Sequence, residues 1–212
     1  MPGDKPFPIT FTVDYPDYPL NKTSTAFRAL WAVPVVLLLI VLQRQQFALE
    51  WDAFAISFVS AFGGLGAVTW PVLLMLLVRQ KYPRWWFEWN LELFRFINRV
   101  IVYLALMTDR YPATDEQQAV DLDISYPADA SLSRGLPLIK WLLAAPHYFL
   151  LVLLLLGLAV AVSAAWVSIL VSGRYPRFLF SYVEGVLRWW NRVAGYAFTF
   201  VTDEYPPFRL AP

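Results

Sequence analysis

Hydrophobic and polar residues alternate in two short segments of the chain, 7–15 and 120–126. In the first segment, Ile9, Phe11 and Val13 alternate with threonine and aspartate. A period of two with one apolar side is typical of a half-buried β-strand. The pattern therefore predicts a strand in each segment. We expect the two strands to pair with each other, because isolated strands are only marginally stable.

Three other stretches are apolar and contain no Asp, Glu, Lys or Arg: 29–43, 53–78 and 141–173. A helix needs about 20 residues to cross about 30 Å of hydrocarbon. The first stretch is long enough if its helix begins near Thr23 and the Arg28 side chain extends to the lipid headgroups. The second stretch is long enough for one crossing, and the third is too long for one and short for two.

The stretch 141–173 leaves two alternatives open. A helix that begins near Ser133 and turns near Gly157 would form a tight hairpin, whereas a single long tilted helix would place the C-terminus outside. Positive charge favours the cytoplasmic side of a membrane, and eight Lys/Arg lie in 79–140 and five in 174–212. The charge distribution therefore favours two hairpins, which give four transmembrane helices with both termini cytoplasmic.

An internal repeat organises the chain. Lys-Tyr-Pro-Arg at 81–84 recurs as Arg-Tyr-Pro-Arg at 174–177, an offset of 93, and the two strand segments match at an offset of 111. The repeat divides the chain into units 1–118 and 119–212. The predicted fold is an all-α integral membrane protein with two tandem repeats. Each repeat has a transmembrane hairpin and an interfacial amphipathic helix, with a short β-strand before it.

The helix after each Tyr-Pro-Arg segment combines one polar stripe with many aromatic side chains. Such a helix is typical of the headgroup plane, and its aromatic face can also contact a partner's helix or an apolar cofactor. Seven side chains form the predicted membrane or partner interface: Trp85, Trp86, Trp89, Phe94, Phe178, Trp189 and Trp190. Four small residues in the apolar stretches predict close helix packing: Gly63, Gly66, Gly157 and Ala161.

His147 is the only histidine and a weak candidate for a cofactor ligand. Within a membrane segment it could bind a pigment or haem iron or relay a proton. The simpler interpretation is a hydrogen bond to a carbonyl freed by Pro146, because the repeat places Val35 at the matching position. Catalysis would require His147 to meet a carboxylate such as Asp203, and the Thr-Asp sequences at Asp109 and Asp203 are typical of a helix-to-loop transition.

Composition narrows the possible functions. The chain is 58% hydrophobic and 16% charged, against about a quarter charged in soluble domains, so it requires a solvent other than water. The absence of cysteine excludes disulfides and thiolate metal sites. A net charge of +1 gives no indication of nucleic-acid binding. Asp121 and Asp123 fit a solvated strand face better than a metal site, and no cofactor is predicted, although bound lipid or pigment is left open.

Four motifs resemble an uncharacterised family of bacterial membrane proteins, domain of unknown function 4389: Leu-Ala-Ala-Pro-His at 143–147, Ser-Gly-Arg-Tyr-Pro-Arg at 172–177, Val-Leu-Arg-Trp at 186–189 and Thr-Asp-Glu-Tyr-Pro-Pro-Phe at 202–208. The resemblance is strong over 120–212 and weaker over 9–118, where the histidine is missing. It implies a bacterial inner-membrane location and assigns no catalytic residue.

These patterns predict a non-catalytic accessory or structural subunit that packs against a larger membrane complex through its aromatic helices. The alternative is a small transporter or lipid-handling protein with a path at the repeat interface. A path for ions needs polar residues at mid-depth. The predicted crossings contain only a few polar residues: Ser57, Ser60, Thr69, His147, Ser163 and Ser168. Lipid is therefore the favoured cargo of this alternative.

Overall fold

The chain is mostly helical, with one small sheet. A computed structural model describes residues 7–44, 66–79, 81–114, 116, 118–127 and 132–212. The strands are β1 (Ile9–Val13) and β2 (Val120–Ile124). The helices are α1 (Lys22–Ala26), α2 (Arg28–Arg44), α3 (Gly66–Arg79), α4 (Arg84–Leu104), α5 (Pro137–Leu143), α6 (Ala145–Ser172) and α7 (Arg177–Ala197).

Strands β1 and β2 pair in an antiparallel sheet with Phe11 opposite Leu122. Both strands bury every second side chain, and Asp121 and Asp123 lie on the exposed face. The prediction of two half-buried strands that pair with each other is therefore confirmed. The alternation of hydrophobic and polar residues predicts these strands correctly because one face of the sheet packs on helices and the other face is exposed.

Strand β1 runs along α7. Ile9 lies against Gly195, where an added Cβ atom would be only 1.9 Å from the Ile9 Cδ1 atom. At the other end of the strand, the Val13 N–H donates to Glu184 Oε1 at 3.3 Å. Strand β2 packs on α4, and α4 and α7 in turn pack against α2 and α6, respectively. Helices α4 and α7 therefore lie between the sheet and the apolar helices.

Helix α6 is continuous, so the predicted hairpin with a turn near Gly157 is wrong. Leucine and alanine surround this glycine and are strong helix formers. The helix ends instead at Gly173, whose φ of 72° is the left-handed conformation that terminates helices. An added Cβ atom at Gly157 would be 2.3 Å from the Tyr182 hydroxyl oxygen, so this glycine permits close helix packing.

The first apolar stretch also differs from its prediction. The helix begins at Lys22 but is interrupted at Phe27, which ends α1 before α2 begins. Arg28 is buried and binds Asp109 instead of extending to headgroups. In the second stretch, Gly66 begins α3, whereas Gly63 lies outside the described residues.

Among the described residues, α6 is the one helix long and apolar enough to cross a membrane. Its 28 residues extend over about 42 Å at 1.5 Å per residue. This length and composition indicate membrane association.

Candidate functional site

Helix α6 buries one face and exposes the opposite face along its whole length. The buried face includes His147, Ala161 and Ala165. The exposed face consists of apolar side chains: Phe149, Leu153, Leu156, Val160, Val167 and Val171. Leu156 and Val160 are 65% and 70% exposed, respectively. A continuous apolar strip of this length is typical of a surface that contacts lipid or another protein.

Three contacts fix how α6 lies on the rest of the chain. His147 contacts Trp189 of α7, and Gly157 contacts Tyr182 of the same helix. Just beyond the C-terminal end of α6, the Tyr15 hydroxyl, two residues after β1, donates to the Tyr175 carbonyl at 2.5 Å. Helix α6 therefore lies over α7 and the end of β1 and does not project away from the sheet.

The polar stripes of α4 and α7 face the sheet. Arg95 Nε donates to the Leu122 carbonyl at 2.9 Å, and Arg188 Nε donates to the Phe11 carbonyl at 2.9 Å. Each guanidinium also binds a glutamate of its own helix, at 2.7 Å for Arg95 and 2.6 Å for Arg188. Both arginines therefore hold the strands onto the helices, a role that the stripe alone did not reveal.

Asn98 and Asn191 join α4 to α7. Each Nδ2 donates to the other side-chain oxygen, at 2.8 and 2.7 Å. Each Nδ2 also donates to the carbonyl four residues earlier in its own helix, at 2.9 Å in both cases. Both side chains are buried. Because buried amides are costly when they lack partners, this reciprocal arrangement is a stable way to bring the two helices into contact.

Two buried cations form equivalent ion pairs. Arg28 Nη2 lies 2.6 Å from Asp109 Oδ1, and Lys140 Nζ lies 2.7 Å from Asp203 Oδ1. Each cation also donates to the carbonyl of the threonine that precedes its aspartate, at 2.7 Å for Lys140. The sequence pattern predicted a helix-to-loop transition at Asp109 and Asp203 and did not reveal their partners. A spacing of 112 between Arg28 and Lys140, equal to that between Leu30 and Leu142, was the available signal.

The Lys140–Asp203 pair shows how burial and charge compete. Burial lowers the pKa of Lys140, against the attraction of Asp203. Burial acts to raise the pKa of Asp203, but hydrogen bonds from Lys140 and from the Ser133 N–H outweigh it and hold this pKa below 3.8, its ordinary value. The carboxylate is therefore ionised and paired, and its partners hold the segment before α5 against the segment after α7.

His147 is fully buried and has a different partner from the one expected. Its Nδ1 accepts a hydrogen bond from Trp189 Nε1 at 3.0 Å, so the predicted bond to a carbonyl freed by Pro146 is wrong. Pro146 lies in the first turn of α6, where proline frees no carbonyl. The His147 ring stacks on Phe208 with a centroid separation of 4.0 Å, and Tyr205 is 4.9 Å away. Asp203 pairs with Lys140, so the hydrogen-bond partners of His147 and Asp203 are separate.

The aromatic side chains of the predicted interface divide between surface and interior. Trp85, Trp89 and Phe178 are exposed. Trp86 and Trp190 are half-buried, and Phe94 and Trp189 are buried within the chain. The interior pair packs against the rest of the protein, so of the seven predicted side chains only the first three are on the surface that is available to lipid or a partner.

Residues 137–209 match a family model described as a domain of unknown function (DUF4389). The matched segment begins with α5, contains α6 and α7, and includes Asp203 and Phe208. The family resemblance predicted from the four sequence motifs is therefore confirmed. Comparisons with curated proteins and with solved structures give no match to the chain.

Replacing Lys140 by Met should destabilise the protein by about 3–5 kcal/mol at neutral pH, because Asp203 is left ionised and largely buried without its partner. Asp203 has a lowered pKa in the folded state, so its pairing contributes fully above the ordinary pKa of 3.8 and is lost as the pH falls through the lower folded value. The difference between Lys140→Met and wild type should therefore shrink in acid. Denaturation in detergent at several pH values measures this.

Arg177→Met is the matched control for Lys140→Met. Arg177 is 80% exposed and lies 3.8 Å from Asp17, so its loss should change stability by less than about 1 kcal/mol. Equal effects of the two substitutions, or a Lys140→Met difference that does not depend on pH, would contradict the buried-pair account.

Replacing His147 by Ala should destabilise the protein by about 2–4 kcal/mol, because a cavity opens beside Phe208 and the Trp189 N–H loses its acceptor. His147→Phe keeps an aromatic ring in the stack and should cost less, about 1–2 kcal/mol for the unpaired N–H. Thermal and chemical denaturation in detergent measures both. An Ala variant that is as stable as wild type but loses a bound chromophore would assign the histidine to a ligand instead.

Proposed function

We propose that this chain, whose residues 137–209 belong to the DUF4389 family, is a non-catalytic integral membrane protein that acts as an accessory or structural subunit of a larger membrane complex. The observation that carries the proposal is the exposed apolar face of α6, which is continuous over 28 residues. We propose the bacterial inner membrane as its location.

The layer order supports a particular seating in the membrane. The outer face of the sheet carries Thr10, Thr12, Asp121 and Asp123 and requires water. Because β1 runs along α7 and α6 lies over α7, the exposed face of α6 is on the opposite side of the molecule from this polar face. We propose that the apolar helices are embedded in the membrane and that the sheet faces the cytoplasm.

This seating changes the proposed topology. The hypothesis of four crossings required a hairpin in 141–173, which α6 does not form. A single crossing by α6 would separate 79–140 from 174–212, yet Asn98 and Asn191 in these segments are hydrogen-bonded. We propose that α6 lies in the membrane without crossing it and that both of its ends are on the cytoplasmic side, which agrees with the eight Lys/Arg in 79–140 and the five in 174–212.

We also propose that the chain is a tandem repeat. Its support comes from contacts that occur twice at the spacings of the repeat: the ion pairs of Arg28 and Lys140, the strand contacts of Arg95 and Arg188, and the reciprocal Asn98–Asn191 pair. The centre of the sheet fits the same symmetry, because Phe11 and Leu122 are 111 apart and lie opposite each other. Two copies joined in this way bury their polar stripes against each other's strands.

The accessory role follows from how the polar groups are used. The charged side chains that lie within the fold are engaged in intramolecular contacts, as Arg188 with Glu184 and Lys140 with Asp203. The exposed side chains of α6, with Trp89 and Phe178, provide an apolar and aromatic surface for a partner. Aromatic side chains of this kind provide much of the binding energy of protein interfaces. A lipid-handling protein is the alternative outcome of the test.

The test is purification from native membranes in mild detergent, followed by mass spectrometry. The wild-type chain should resist carbonate extraction and co-purify stoichiometrically with a larger complex. The double substitution Trp89→Ala/Phe178→Ala should lower this recovery at least tenfold, the effect of losing about 1.4 kcal/mol of binding energy. Thr10→Ala/Thr12→Ala, on the water-facing side of the sheet, is the matched control and should leave recovery unchanged.

Two results would contradict the accessory role. If the chain is recovered alone or as a homo-oligomer with bound lipid, lipid handling becomes the leading function. If the control lowers recovery as much as the aromatic variant, the partner does not use the proposed face.

A further inference from the structure

A cavity of about 600 Å³ lies where α3 ends and α4 begins. Three cationic side chains line it, Arg79, Lys81 and Arg84, together with apolar and aromatic neighbours that include Met75 and Trp85. Among the described residues that line the cavity there is no carboxylate. A concave site that gathers three positive charges is suited to an anion.

The three cations are only weakly neutralised by the rest of the described chain. Arg84 lies 3.3 Å from Glu88, with both side chains mostly exposed, so this contact is weak. Arg79 and Lys81 form no ion pair with the described residues. The start of α4 adds to the positive potential, because Pro83 provides no side-chain cap and the first turn contains no acidic residue.

The apolar surroundings determine which kind of anion fits. Leu74 and Val78 of α3, which precede the lining residues Met75 and Arg79 in the helix, are 59% and 74% exposed. Trp85 is exposed at the cavity, and indole rings favour the headgroup depth of a membrane. A ligand that is anionic at one end and apolar at the other would contact both parts of this surface.

The corresponding position in the second half of the chain has a different environment. Arg174 and Arg177 match Lys81 and Arg84 at a spacing of 93, but Ser172 replaces Arg79. Arg177 lies 3.8 Å from Asp17, an exposed contact that is as weak as the contact of Arg84 with Glu88. Arg84 and Arg177 are equally exposed, at 81% and 80%, so the second half provides a matched control for the first.

We propose that this cavity binds the phosphate group of an anionic phospholipid, with Arg79, Lys81 and Arg84 as the phosphate ligands and the exposed face of α3 as the contact for an acyl chain. The proposal deepens the membrane role proposed above and rests on it for the source of the lipid. Charge complementarity and the adjoining apolar surface favour a lipid over a soluble phosphate compound.

The test measures binding of dioleoyl phosphatidylglycerol and dioleoyl phosphatidylcholine to delipidated full-length protein by native mass spectrometry. Wild-type protein should prefer phosphatidylglycerol. Lys81→Gln/Arg84→Gln should weaken its binding roughly thirtyfold, about fivefold for each cation removed. Arg174→Gln/Arg177→Gln removes the same formal charge and should change binding much less. Circular dichroism shows that each variant is folded.

Three results would overturn the proposal: equal binding of the two lipids, equal weakening by the two double variants, or phosphatidylglycerol binding unchanged in Lys81→Gln/Arg84→Gln. Binding of inorganic phosphate as tight as that of phosphatidylglycerol would assign the cavity to a soluble phosphate compound and overturn the lipid assignment, because the acyl chains would then contribute nothing. Failure of the membrane role is detected separately, because carbonate would then extract the wild-type chain whatever its lipid preference in detergent.

Discussion

The burial of polar side chains beneath the sheet is the constraint on which the architecture depends. Helices α4 and α7 carry arginines and asparagines that are costly to bury without partners. Arg95 and Arg188 donate hydrogen bonds to the carbonyls of Leu122 and Phe11, and Asn98 and Asn191 hydrogen-bond to each other. These bonds fix both strands and both helices relative to one another, although the residues come from distant parts of the chain.

Once the polar stripes face inward, the remaining surfaces of the molecule separate by chemistry. The outer face of the sheet is polar, and the far side is covered by apolar helices such as α6. The ion pair of Lys140 and Asp203 lies near the start of α6 and joins the segment before α5 to the segment after α7. A molecule with one polar and one apolar side is suited to a membrane surface, and this is the basis of the proposed function.

Sequence patterns predicted the parts of the fold that depend on neighbours along the chain. Alternation predicted both strands, and the helical spacing of the polar stripes predicted helices that the structure places at Arg84–Leu104 and Arg177–Ala197. The hairpin at Gly157 failed because length and loop charge do not reveal whether a glycine turns the chain or accommodates Tyr182. Arg28 was misjudged because its partner, Asp109, is 81 residues away.

Partners that are distant in sequence also explain why the candidate site was only partly predicted. His147 was recognised as unusual from its isolation within an apolar stretch, but its partner Trp189 is on another helix and was assigned to an outward-facing surface. The amphipathic pattern indicates that a helix has two faces, but the pattern does not indicate which face is covered by protein. In α7 the sheet covers the polar face, so the polar stripe lies inside the protein and not in the headgroup plane.

Cysteine labelling in intact membranes tests the proposed seating of the apolar helices, because the natural chain has no cysteine. Single substitutions Thr12→Cys, Arg134→Cys, Val160→Cys and Arg174→Cys are exposed to a membrane-impermeant maleimide from each side. If the seating is right, positions 12, 134 and 174 react from the cytoplasmic side and position 160 reacts only after the membrane is dissolved. Reaction of position 160 at the rate of position 12, or of positions 134 and 174 from opposite sides, would contradict it.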